Sequence, residues 1–371
     1  MRLRFEPVRA QCLAATSDGT VPGLVLLAAV GGEVRFHDAF GARQLIPRSL
    51  PAFPDTLYDV ASLTKAVATS LLAIRAVAAG RLPLDAPLVA LLPEFAGDDP
   101  RRAQVTVRQL LCHASGLPAH RPFWQQADQA PSQRWAIERL AAHEPLVNDP
   151  GARAVYSDLG FILLGWVLER LTGVRLDLMF SREIAAPLGL TASAFLTLTD
   201  ADADARARRL GERSIAATQD CPQRRRILLG EVDDLNAMAM GGVAGHAGLF
   251  STAAELSTIA AALCRAWRGD SGAIVDRDVL RLFWSPSGVP GSTWRLGWDG
   301  PAPSGSQAGT RLPRTAVGHL GFTGCSLWID PARELWIVLL SNRVHPRVPT
   351  DDRFKAFRPA LHDAVMEALG A

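Results

Sequence analysis

A serine hydroxyl becomes a useful nucleophile only where a base or a cation stands beside it. Ser62 and Lys65 meet that condition if Tyr58-Asp59-Val60-Ala61-Ser62-Leu63-Thr64-Lys65 leads into a helix continuing to about Ala79. Residues three apart share a helix face, so the ammonium of Lys65 would lie against the hydroxyl. Ser62, a natural N-terminal helix residue, would then sit where the peptide dipoles favour an alkoxide. The chain carries 39 Lys+Arg, yet Lys65 and Lys355 are its two lysines, so a lysine at this spacing carries weight. Ser-x-x-Lys alone is also what a capped helix with a solvated lysine produces, and its meaning depends on partners elsewhere. Two segments offer them: Tyr156-Ser157-Asp158, with one of the 2 tyrosines, and Gly318-His319-Leu320-Gly321-Phe322-Thr323-Gly324.

The elements that must position these residues follow from periodicity and punctuation. A short amphipathic helix is expected from about Phe5 to Ser17. The apolar run Gly23–Val30 and the alternating run Glu33–Phe40 read as a hairpin closed by Gly31-Gly32. A short helix is expected from Thr106 to Cys112, and Ser157–Leu171 has helical apolar spacing ended by Gly173. The stretch 195–230 is rich in Asp and Arg with little periodicity and reads as a surface loop or insertion. The glycine-dense segment 240–250 precedes a helix that begins near Ala253, capped by Ser251 or Thr252. Thr315–Phe322, Cys325–Ile329 and Glu334–Ser341 read as strands, and a last helix runs from about Arg353 to Leu369 past Pro359. Strands thus occupy both chain ends and helices the middle. The expected class is α/β (α+β): one antiparallel sheet built from both ends, flanked by helices, with a mostly helical region inserted. The expected division is 1–65 with 290–371 as the sheet domain and 66–289 as the helical domain, with a cleft at their junction.

Composition removes several classes. At 371 residues, 48% hydrophobic and 20% charged, the chain is an ordinary globular sequence long enough for two compact units. A net charge of +2 gives no reason to expect nucleic acid, and Arg224-Arg225-Arg226 reads as a solvated surface. Five scattered cysteines with no Cys-x-x-Cys argue against a disulfide framework and a structural zinc site. No apolar run reaches the ~18–20 residues of a membrane helix. The first residues lack the apolar core of a secretory leader, so a cytoplasmic location is the default, with a periplasmic or secreted one if a leader precedes the sequence as given. Residue types alone leave open a metal hydrolase using His113, His120, His246 and His319. No His-Glu-x-x-His or comparable spacing supports it, so no metal or other cofactor is expected.

Taken together and in order, Ser62-Leu-Thr-Lys65, Tyr156-Ser-Asp158 and His319-Leu-Gly321 resemble the penicillin-recognising serine hydrolases: class C β-lactamases, D,D-peptidases and their esterase relatives. Val107–Leu117, Tyr156–Gly165 and Gly241–Thr252 also look like that family, and the resemblance extends from about residue 20 to 345. It implies a β-lactamase/transpeptidase-like fold and acylation of Ser62 followed by transfer of the acyl group to water. Lys65 and Tyr156 would share the serine proton, and either could be the formal base. The resemblance further implies an oxyanion hole from the backbone N–H groups of Ser62 and Phe322, beside Asp158, His319 and Gly321 as substrate-contacting positions.

Two departures from the family pattern stand out, one at Asp158 and one in the triplet His319-Leu-Gly321. Asp158 stands where asparagine is usual, so a donor to the substrate carbonyl is lost and Lys65 gains a counter-charge. Leu320 replaces a threonine hydroxyl that could hold a carboxylate, and His319 replaces a lysine, as in some family members. The expected activity is hydrolysis of an ester, amide, peptide or β-lactam bond in a small substrate. The alternative is a penicillin-binding sensor that acylates at Ser62 and turns over poorly. The number of subunits is not legible.

Overall fold

A computed structural model describes residues 2–198 and 214–371. Its centre is a six-stranded sheet assembled from the two chain ends. The strands are β1 (Gly23–Val30), β2 (Glu33–Gln44), β3 (Leu50–Pro51), β9 (Val317–Leu320), β10 (Ser326–Asp330) and β11 (Leu335–Ser341), in the order β3-β2-β1-β11-β10-β9. Every neighbouring pair is antiparallel, and β1 joins the two ends by pairing Leu24 with Ser341 and Ala29 with Trp336. Gly31 and Gly32 both adopt positive φ, which is why two glycines close the first hairpin.

The near-continuous apolar run of β1 is explained by burial on both faces. Leu24, Leu26 and Ala28 face a core shared with Val8, Cys12, Leu361, Val365 and Met366 from the terminal helices Glu6–Ser17 and Arg353–Leu369. Val25, Leu27 and Ala29, one step out of phase, join the larger core formed with the middle of the chain. Each fully buried Leu or Val contributes roughly 1.5–3 kcal/mol, so a register slip of one residue would not be tolerated. The helix Ala253–Arg268, capped by Thr252, lies over this second face, where Trp336 Nε1 donates to Ser257 Oγ at 2.8 Å.

Two features bring the middle of the chain onto the sheet. Helix Asp158–Thr172 starts at the Ser157 cap, ends at left-handed Gly173, and buries Leu159 to Leu168 without a polar stripe. Gly165 meets Gly245 backbone to backbone, and a Cβ on Gly245 would lie 2.1 Å from the Phe161 carbonyl oxygen. Glycine alone permits that approach. The second feature is a small antiparallel sheet of β4 (Tyr58–Asp59), β8 (Leu249–Ser251) and β5 (Ala194–Phe195), with β8 in the centre. It anchors the segment before Ser62 to the glycine-dense stretch.

The departures from the sequence reading are local. β2 continues past Phe40 to Gln44 because Ala42 and Gln44 pair with the edge strand β3. β9 ends at Leu320, since Gly321 to Gly324 form a turn in which Gly324 N–H donates to Gly321 O. Within the stretch expected to be loop, Ala217–Cys221 (β6) and Arg226–Leu229 (β7) form a hairpin; positions 199–213 lie outside the described residues. Arg224 is not simply solvated: it donates to Val232 O at 2.7 Å, while Arg226 pairs with Glu231. All five cysteines are free and buried. Among the described residues no helix is long and apolar enough to cross a membrane.

Candidate active site

Ser62 stands on a turn forced into shape by its neighbours. Ala61 adopts φ +47, a conformation costing an L-residue about 1–2 kcal/mol. The buried Asp59 holds it there: Oδ1 accepts the Ala61 N–H at 2.8 Å and Oδ2 the Asp233 N–H at 2.7 Å. Burial pushes the Asp59 carboxyl up to about 7 despite those bonds. Leu63, Thr64 and Lys65 then donate to the carbonyls of Val60, Ala61 and Ser62. The chain winds onward through a wide π-type stretch, Lys65–Ser70, into the α-helix Leu71–Ala78.

This geometry brings Lys65 Nζ to 2.9 Å from Ser62 Oγ. The ammonium has two further acceptors: the His246 carbonyl oxygen at 2.9 Å and Asp158 Oδ1 at 2.8 Å. Its side chain is fully buried. Burial pushes the Lys65 pKa down, but the charge of Asp158, joined by Tyr156 and by hydrogen bonds to both, outweighs it and leaves Lys65 above an ordinary lysine. For Asp158 burial acts upward, yet Lys65, the His120 hydrogen bond and His246 hold its carboxyl far below the usual carboxylate range. Lys65 and Asp158 therefore rest as an ion pair.

Tyr156, half-buried just before the helix Asp158–Thr172, closes the cluster. Lys65 Nζ lies 5.0 Å from its ring centroid. Burial pushes the phenol up; the Lys65 charge and hydrogen bonds with Lys65 and Ser62 oppose this without reversing it. Tyr156 is thus a neutral phenol at rest. Its ring packs on Trp294, with centroids 5.3 Å apart, and on His113 at 4.7 Å. His113 in turn accepts the Ser157 N–H at 3.1 Å, fixing the start of that helix.

On the sheet side, β9 carries His319. Its Nδ1 lies 2.7 Å from the Leu320 carbonyl oxygen, so Nδ1 holds the proton and the buried Nε2 offers a lone pair. Burial, then Lys65, pushes the imidazole down to about 3, so it is neutral where a lysine would be charged. Gly321 passes so close to the Ser62 turn that a Cβ would lie 2.5 Å from Val60 O, and its N–H donates to Cys325 O at 2.7 Å. The backbone N–H groups of Ser62 and Phe322 have no acceptor among the described residues.

Two cavities share Ser62, Tyr156 and Phe322 as wall residues. One, of about 450 Å³, is lined on the helical side by Trp124, Asp158, Asp234 and His246; the other, of about 330 Å³, is lined by Trp294, His319, Arg343 and Arg358. All seven residues singled out from the sequence come together here. Asp158, expected to meet substrate, is engaged by Lys65 and by His120, whose Nδ1 lies 3.2 Å from Oδ2. Sequence reasoning gave no role to Asp59, Trp294, Arg343 or Arg358, and considered His120 only as a metal ligand. Nothing in their spacing marks them: Asp59 acts on the Ser62 turn through a local hydrogen bond to the backbone, and the others reach the site through tertiary packing. Among the described residues no group of three or more His, Cys, Asp or Glu side chains could hold a metal ion.

Comparison with known proteins gives a consistent answer. The profile of the family described as Beta-lactamase matches residues 9–359. An N-acetylmuramyl-L-alanine amidase of Bacillus subtilis is 32% identical over 349 residues, spanning 88% of this chain and 78% of that protein. A putative D-alanyl-D-alanine carboxypeptidase of Escherichia coli is 30% identical, with 88% and 80% covered. Among solved structures, an octameric penicillin-binding protein homologue from Pyrococcus abyssi superposes with a TM-score of 0.74 at 21% identity, over 98% of this chain and 77% of that one. EstCE1, a hydrolase with promiscuous acyltransferase activity, gives 0.71 at 22% identity over 97% and 98%. These likenesses share the mixed α/β fold with its antiparallel sheet. The profile match and the 32% identical relative together identify this chain as a member of the β-lactamase family.

Proposed function

We propose that the protein is a serine hydrolase that forms a covalent acyl-enzyme at Ser62 on an ester or amide bond. The observation that carries this reading is the 2.9 Å contact between Lys65 Nζ and Ser62 Oγ at the meeting point of two cavities. In this reading Ser62 Oγ attacks the acyl carbonyl, and its proton passes through Lys65 and Tyr156 to the leaving group. The free N–H groups of Ser62 and Phe322 receive the developing oxyanion. Water then repeats the sequence on the acyl-enzyme. We place the substrate in the cleft between the sheet unit, 1–65 with 290–371, and the helical unit, 66–289.

The substrate preference follows from the departures. Asp158 is ionised and can only accept, so it offers no donor to an amide carbonyl. His319 is neutral and Leu320 has no hydroxyl, which weakens the grip beside β9 on a carboxylate. Both favour an uncharged ester or small amide over a β-lactam, although the amidase and carboxypeptidase relatives keep peptide substrates in view. Initial rates with p-nitrophenyl esters, a D-Ala-D-Ala peptide and a chromogenic cephalosporin test this. The highest kcat/KM is expected for the ester; a β-lactam turned over faster than both others would reject the preference. A second reading, a sensor that acylates and deacylates slowly, is favoured by the Lys65–Asp158 pair, because a lysine held as ammonium is a poor base for the deacylating water. A penicilloyl adduct that outlasts the assay would select it.

A further inference from the structure

Asp158 serves two partners, the Lys65 ammonium and the His120 ring. Oδ1 lies 2.8 Å from Lys65 Nζ and Oδ2 lies 3.2 Å from His120 Nδ1. The partners differ in access: the Lys65 side chain is 0% exposed and that of His120 is 49% exposed. An ionised Asp158 only accepts, so His120 Nδ1 carries a proton whether the ring is neutral or charged. Nε2 is then the nitrogen that gains or loses one.

Lys65 can act as a base only after its ammonium sheds a proton. With Lys65 alone, that loss would strand a largely buried carboxylate without a cation, which is costly. We propose that His120 is a positioning residue for the serine chemistry, the charge partner that takes over Asp158 when Lys65 becomes neutral; the proposal rests on the Ser62–Lys65 reading above. A proton released from Lys65 Nζ is matched by one taken up from solvent at His120 Nε2, so the number of bound protons is unchanged. Ser62 then gives its proton to neutral Nζ as the Oγ–C bond forms, and the restored ammonium passes it to the leaving group as the scissile bond breaks. Without the imidazolium, neutral lysine appears only at the alkaline pH that its ion pair dictates.

The surroundings are built for this. Asp158, through its hydrogen bond, and Asp234 favour the imidazolium, and Lys65 opposes it; burial also acts downward, yet His120 ends above an ordinary histidine. Asp59, Asp233 and His246 line the same cavity. Arg121, the next residue, pairs with Glu144 at 2.6 Å and donates to the backbone carbonyl oxygen of His120 at 3.1 Å.

The test is the pH profile of kcat/KM for a p-nitrophenyl ester. In His120→Gln the acid limb should move alkaline by about one pH unit, with a roughly tenfold loss at pH 7 that is recovered at higher pH. His120→Lys, a lasting cation, should restore the rate at pH 7. A profile that superimposes on the parent, or a loss equal at every pH, would overturn the proposal. A second arm needs no turnover, so it separates this proposal from the assignment of Ser62. In Ser62→Ala, NMR titration of the His120 ring should give a pKa that rises by about one unit on adding Lys65→Met. In Ser62→Ala/Asp158→Asn it should fall towards the ordinary histidine value. A His120 pKa indifferent to both changes would refute the coupling even if Ser62 proves to be the nucleophile.

Discussion

Replacing Asp158 with asparagine isolates the feature that sets this site apart from the family pattern. The substitution is nearly isosteric: the amide oxygen can still accept from Lys65 Nζ across the present 2.8 Å, but the full counter-charge is gone. Opposite charges at this range shift a pKa by about 1–3 units. Asp158 is the largest of the groups that lift Lys65 above an ordinary lysine against the downward push of burial, ahead of Tyr156. Its removal should therefore lower the lysine by about 2 units, giving about a hundredfold more neutral amine at pH 7. The weaker base returns part of that gain, so kcat/KM for an ester should rise about tenfold at pH 7, with the acid limb moved towards lower pH. The assay is nitrophenol release from pH 5 to 10. Stability carries the opposite sign. The Asp158 pKa is depressed in the folded protein, so its contribution is full above the unfolded-chain value of about 4 and is lost as pH falls from there towards the folded value. Asp158→Asn should remove that acid-sensitive component. An acid limb that stays in place, or moves alkaline, would refute the claim that Asp158 governs the lysine.

Two further substitutions probe the rest of the cluster. Tyr156→Phe keeps the ring stacked on Trp294, with centroids now 5.3 Å apart, and deletes only the hydroxyl, so kcat should fall by about 10²–10⁴ with little change in melting temperature; an unchanged kcat would remove Tyr156 from proton transfer. Gly321→Ala would drive a Cβ to 2.5 Å from Val60 O, displacing β9 from the Ser62 turn. We expect a loss of about 1–3 kcal/mol in denaturant unfolding together with reduced activity, and native stability with full activity would mean that the close approach is dispensable.

What the sequence revealed was what is encoded locally. Gly23–Val30, the Ser251-Thr252 cap position and Gly173 carry their own signals of period, capping and left-handed termination; the structure has the strand and the terminating glycine as read and uses Thr252 of the two cap candidates. The three-stranded sheet of β4, β8 and β5 had no such signal. Its strands are two or three residues long and come from positions near 58, 194 and 250, so only tertiary contact defines them. The site divides the same way. Ser62 and Lys65 stand out because a helix turn links them, and Tyr156 and His319 because they fit an ordered pattern. Asp59 carries no such signal, yet its two carboxylate hydrogen bonds hold the turn that presents Ser62. His120 reaches Asp158 across 38 positions, a separation at which no periodicity operates.

The most direct test of the central claim is intact-protein mass spectrometry after exposure to a p-nitrophenyl ester and, separately, to a penicillin, followed by peptide mapping. The account predicts an acyl adduct on the peptide containing Ser62, short-lived for the ester, and absent together with nitrophenol release in Ser62→Ala. An adduct on any other residue, or turnover that survives in Ser62→Ala, would contradict it.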